Sequence, residues 1–229
     1  MFKKRSYILL LASSIFVSGN LLAATFPVFE GDSSASFSAT GTNVKVESQS
    51  LSWGNATAFN SQSSLTYAGD NPFSINSSSS FKIGSLTYDN TTITAGTGIG
   101  SADMTVNLDF SSPTIGPFAF NYNLLIANTA NIGSSSSSAD TVTLNPVSGF
   151  NPFLTTLDGI DYYFTVLGFE LTTGNYVNSF TQAEGSNTEA ALYARITTVN
   201  PVPEPAILWL MLSAFSGLIW LNGRKKAYI

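Results

Sequence analysis

The sequence predicts an all-β body, an antiparallel β-sandwich of jelly-roll type, carrying an apolar segment at each end. Three observations point there. Between Thr25 and Asn200 apolar residues do not recur with helical spacing, whereas apolar and polar residues alternate often. Turn-forming pairs such as Asp158-Gly159 fall between the alternating runs. Polarity comes from Ser, Thr and Asn, and only 10% of the 229 residues are charged, less than half the usual share.

The first element, residues 1–24, has the three parts of a secretory signal. Lys3, Lys4 and Arg5 open it, an apolar stretch runs from Tyr7 to Val17, and small residues close it at Ala23-Ala24. A cut before Thr25 places Leu22 and Ala24 at the −3 and −1 positions; a cut one residue earlier is the alternative. Ser13, Ser14, Ser18, Gly19 and Asn20 interrupt the segment, which argues for removal rather than retention as an anchor.

The body, residues 25–199, is read as about ten short strands. Met104, Val106, Leu108 and Phe110 share one face of their run, with Asp103, Thr105, Asn107 and Asp109 on the other. Phe118, Phe120, Tyr122, Leu124 and Ile126 repeat the pattern, as do Leu192, Ala194 and Ile196, and Val44 and Val46 alternate with Lys45 and Glu47. The run Ile160 to Phe169 is apolar on both faces and predicts a central, doubly covered strand. Turns are expected at Gly69-Asp70-Asn71-Pro72, Asp89-Asn90, Gly96-Thr97-Gly98, Ser148-Gly149, Asp158-Gly159 and Thr173-Gly174-Asn175. The serine tracts at 77–80 and 134–138 read as exposed loops.

The C-terminal elements follow in order. Residues 200–205 hold Pro201, Pro203 and Pro205, which keep the backbone extended. Residues 206–223 are predicted to form a transmembrane helix. Its uncharged core, Ala206 to Leu221, spans about 24 Å at ~1.5 Å per residue, slightly short of a hydrocarbon layer about 30 Å thick. Trp209 and Trp220 lie near its ends, where indole rings favour the interface. Residues 224–229 begin with Arg224, Lys225 and Lys226. Positive flanks stay cytoplasmic, so both basic clusters place the ends inside and the body outside.

Composition excludes several chemistries. The chain has no His and no Cys, so a Ser-His-Asp triad, a Cys nucleophile and imidazole or thiolate zinc sites are ruled out. Between Thr25 and Val202 there are 3 basic and 13 acidic residues, so nucleic acid is not an expected partner. A glycosidase would need only two carboxyl groups, and Asp158 with Asp161, or Glu184 with Glu189, are the candidate pairs. Both lie in turn-like sequence, so the reading is non-enzymatic, with no catalytic residue.

Two resemblances add to this. Pro203-Glu204-Pro205, the apolar helix and the basic cluster, together with the N-terminal signal, resemble the PEP-CTERM sorting pattern of Gram-negative bacteria. That resemblance implies an exosortase as partner, a transient stay in the inner membrane and delivery to the cell surface or extracellular matrix. Residues 30–198 resemble the choice-of-anchor K domain through Leu51-Ser52-Trp53-Gly54, Ser64-Leu65-Thr66-Tyr67, Phe81 to Asn90, Leu157 to Tyr162, Val166-Leu167-Gly168-Phe169, Glu184 and Ala191 to Ile196. This implies an exported all-β domain and no catalytic residues. The expected role is structural or adhesive. The alternative is a lectin-like module for extracellular polysaccharide, with Trp53, Asp158 and Asp161 as ligand-binding residues and Tyr67, Tyr88, Tyr162 and Tyr193 as further rings. No cofactor is required; calcium held by Asp158, Asp161 or Asp70 belongs to that alternative, although no calcium-loop spacing occurs.

Overall fold

The computed structural model describes residues 26–57, 61–131, 133–147 and 153–198. The signal segment, the Ser148-Gly149 turn, Pro203-Glu204-Pro205, the apolar helix and the basic tail lie outside the described residues.

Every regular element among the described residues is a strand. In chain order these are β1 (Phe29–Ser38), β2 (Lys45–Glu47), β3 (Ser50–Trp53), β4 (Ser63–Gly69) and β5 (Phe73–Ile75). Then come β6 (Ser80–Asn90), β7 (Ser101–Ser112), β8 (Ile115–Ala127), β9 (Asp140–Pro146) and β10 (Phe153–Leu157). The last are β11 (Ile160–Thr172), β12 (Asn175–Val177), β13 (Ser179–Gln182) and β14 (Ser186–Thr198). One sheet has the order β13-β9-β8-β7-β1-β5 and the other β10-β11-β14-β6-β4-β3-β2, with β12 attached to β11. All their pairings are antiparallel. The fold is all-β and sandwich-like.

The alternating runs become the core as expected. Met104, Val106, Leu108 and Phe110 of β7, Phe120, Tyr122, Leu124 and Ile126 of β8, and Leu192, Ala194 and Ile196 of β14 are all buried. Aromatic rings join the two sheets. Phe120 of β8 stacks on Phe164 of β11 with centroids 4.5 Å apart, and Phe29 of β1 meets Tyr162 of β11 at 5.3 Å. Phe169 of β11 meets Phe180 of β13 at 4.9 Å. Each such pair adds about 0.5–1.5 kcal/mol to the burial of its rings. With no cysteine in the chain, this packing takes the place of cross-links.

Four expectations about strands are corrected. There are fourteen strands among the described residues, and β6, β7, β8, β11 and β14 each exceed ten residues. Asp89-Asn90 does not turn, because both residues pair with Asn187 and Ser186 of β14 as the end of β6, while Asn90 Nδ2 donates to the Gln182 carbonyl at 3.0 Å. Val46 is 49% exposed, since β2 is a three-residue edge strand whose residues are all exposed. Finally, β11 is not doubly covered. Tyr162, Phe164 and Phe169 are buried, while Tyr163 and Thr165 stay partly exposed on the outer face. A register shift between Val166 and Gly168 inserts one extra residue, so that apolar positions of opposite parity reach the same core.

The remaining turns that fall on described residues match. Asp158 and Gly159 both have positive φ, 50° and 77°, the signature of a two-residue hairpin turn. Turns also fall at Asn71-Pro72 and at Thr173-Gly174. In the serine tract, Ser134 to Ser137 are exposed, but Ser138 is buried.

Candidate functional site

The predicted ligand-binding residues are not brought together. Trp53 ends β3 with no exposed surface, its indole stacked on Tyr88 with centroids 5.9 Å apart. Its ring faces are core. Asp158 sits exposed in the β10–β11 turn, and Asp161 is the second residue of β11, accepting the Thr156 hydroxyl at 2.7 Å. Between β11 and β3 lie β14, β6 and β4, a separation of about 19 Å at ~4.8 Å per strand spacing. Trp53 and Asp161 therefore cannot touch one small ligand. Asp70 is in the β4–β5 connection, its N–H bonded to the Ile83 carbonyl at 3.0 Å. Among the described residues no three acidic side chains gather as metal ligands.

The structure also parts Glu184 from Glu189. Glu189 lies on the outer face of β14, 3.8 Å from the Lys82 ammonium. Glu184 occupies the β13–β14 turn and lines an open cleft of about 750 Å³ at one end of the sandwich. Asn90, Thr92, Ile93, Asn128 and Asp140 line it too.

Beneath this cleft is a buried polar network. Tyr88 Oη donates to Asp140 Oδ2 at 2.9 Å, and the Thr129 N–H donates to Asp140 Oδ1 at 2.7 Å. The Gly185 N–H donates to the Asn90 carbonyl at 2.7 Å and the Glu184 N–H to the Ser135 carbonyl at 3.1 Å. Glu184 Oε1 is buried without a hydrogen-bond partner among the described residues. Burial pushes the Glu184 carboxyl above the ordinary glutamate range; the Thr92 hydroxyl opposes this and the Asp140 charge adds to it. Burial, then the Asp140 charge and hydrogen bond, raises the Tyr88 phenol strongly. With two acids and no cation in its lining, the cleft suits hydrogen-bond donors and disfavours anions.

The other rings divide sharply. Tyr67, Tyr88 and Tyr162 are buried. Tyr67 serves the core, its hydroxyl bonding the Ile83 carbonyl at 2.9 Å and its phenol pushed up to about 12 by burial. Tyr193 differs: it lies on the outer face of β14 between buried Leu192 and Ala194, and it is half-buried. Tyr176 of β12 joins it, with ring centroids 5.5 Å apart and planes tilted by 42°. The Tyr176 hydroxyl donates to Ser80 Oγ at 2.6 Å. The neighbouring Glu170 carboxylate, and then burial, raises the Tyr193 phenol.

Sequence reasoning missed Tyr176 and Asp140. Tyr176 follows the Thr173-Gly174-Asn175 turn directly, a usable signal, but Asp140 belongs to no motif. No protein-family model matches the chain, and no match is found among curated proteins.

Proposed function

We propose that this is an exported, non-enzymatic β-sandwich protein of jelly-roll type, with an ectodomain of the choice-of-anchor K kind. It is held briefly in the inner membrane of a Gram-negative bacterium by residues 206–223. An exosortase then passes it to the cell surface or extracellular matrix, where its role is structural or adhesive. One observation carries this: Pro203-Glu204-Pro205, an uncharged apolar stretch and Arg224-Lys225-Lys226 occur in that order behind an N-terminal signal. Glu204→Ala is expected to leave an uncut, membrane-held precursor when the mass of the C-terminus is measured. Normal release of the variant would remove the exosortase from the proposal.

Polysaccharide binding is the second reading, and the outward-facing pair Tyr176 and Tyr193 favours it. Trp53 has no place in it, being buried. Titrating the chain with extracellular polysaccharide, with and without calcium, should give a saturable signal. A flat titration in both conditions leaves the structural role standing by itself.

A further inference from the structure

We propose that the outer face of β11, β14 and β6 around Tyr176 and Tyr193 is a binding platform for a neutral polysaccharide, whose pyranose rings lie on the two phenol rings. The proposal rests on the polysaccharide reading above and assigns it a surface and a ligand class.

Three features make the platform. The first is orientation. Of the five rings that the sequence offers for this task, Trp53, Tyr67, Tyr88 and Tyr162 are core, while Tyr193 faces outward. Tyr176 reaches it because β12 folds back along β11, with Phe169 opposite Val177 and Glu170 opposite Tyr176. Gly168 lies opposite Tyr193 in the β11–β14 register, so β11 presents no side chain there to cover the ring.

The second is rigidity. The Tyr176 hydroxyl is tied to Ser80, and the Tyr193 phenol lies close to the Glu170 carboxylate. Glu170 is itself held by the Gly174 N–H at 2.8 Å. Rings fixed before the ligand arrives lose little conformational freedom on binding, and a ring face is apolar enough to stack on the C–H face of a sugar.

The third is the polar surround. Lys82 pairs with Tyr193 across β6 and β14, and Ser80 pairs with Arg195. Arg195 is exposed, two residues beyond Tyr193 on the same face, and forms no ion pair among the described residues. Lys82 is already matched by Glu189. Donors and acceptors for sugar hydroxyls thus surround the rings, with no excess of positive charge. The body as a whole carries 13 acids against 3 bases between Thr25 and Val202, a field that repels a polyanion. The ligand class is therefore neutral.

The test is native affinity electrophoresis of the full-length chain in mild detergent. Gels are cast with dextran, hydroxyethylcellulose or galactomannan, and separately with alginate, a polyuronate. Retardation by at least one neutral polymer and not by alginate is expected. Tyr193→Ala and Tyr176→Ala should each weaken it about threefold to tenfold, the loss of one ring contact. Arg195→Ala alters an exposed side chain that folding does not need, and should weaken it about threefold. Retardation that survives all three substitutions overturns this platform and leaves polysaccharide binding elsewhere on the molecule. No retardation in any neutral gel overturns both, and retardation by alginate as strong as by the neutral polymers overturns the ligand class.

Discussion

Glu184 shows what burial does to a carboxylate when no cation is near. Asp140, beside it in the cleft, receives hydrogen bonds from Tyr88 and Thr129. Glu184 has one buried oxygen without a partner among the described residues, and its proton is held more tightly in the folded state than in the unfolded chain. The folded state therefore binds more protons over the window from the ordinary glutamate range up to the raised value. Stability contributed by this group is complete below that window and falls as pH rises through it. Glu184→Gln keeps the shape and removes the titration. Urea unfolding from about pH 4 to about pH 7 should accordingly show a smaller loss of stability with rising pH in the variant than in the parent. Identical pH slopes would mean that Glu184 is solvated in a way these contacts do not show.

Among the strands, β11 carries the most consequence. Its extra residue between Val166 and Gly168 changes which side chains face inward, and Gly168 has φ of 115°. A Cβ there would overlap the Val177 carbonyl oxygen of β12. The glycine thus both permits the backbone conformation and lets β12 approach. Gly168→Ala should lower stability by about 2–4 kcal/mol, combining strain at positive φ with a backbone clash. The urea midpoint measures this, and a change below about 0.5 kcal/mol, the size of an ordinary surface substitution, would show that β12 can move away freely. Because Tyr176 rides on β12, the same change should displace it from Tyr193.

For the whole molecule, the question is where the body resides. The proposal places it outside the cytoplasm, because both apolar ends carry their basic clusters on the same side. A reporter active only outside the cytoplasm, fused after Asn200, should be active in cells; activity confined to a cytoplasmic reporter at that position would defeat the topology. The body's two sheets are joined by aromatic contacts such as Phe120 on Phe164 rather than by disulfides, so its stability does not depend on the redox state of the compartment.

The sequence alone carried the all-β class, the inward faces of β7, β8 and β14, and the Asp158-Gly159 turn. These are local patterns, readable over a few neighbouring residues, because side-chain direction in a strand alternates with period two. The end segments lie outside the described residues, so the reading of them rests on their composition and order alone. What only the tertiary structure decided was which chemistry faces outward. Trp53 and Tyr193 both occur in alternating, aromatic-bearing runs, yet one is core and the other surface. Glu184 meets Asp140, 44 positions away in the chain, and not Glu189. The reason is that one inserted residue in β11 and the pairing of strands distant in sequence reset the alternation, and neither is encoded in any short stretch of residues.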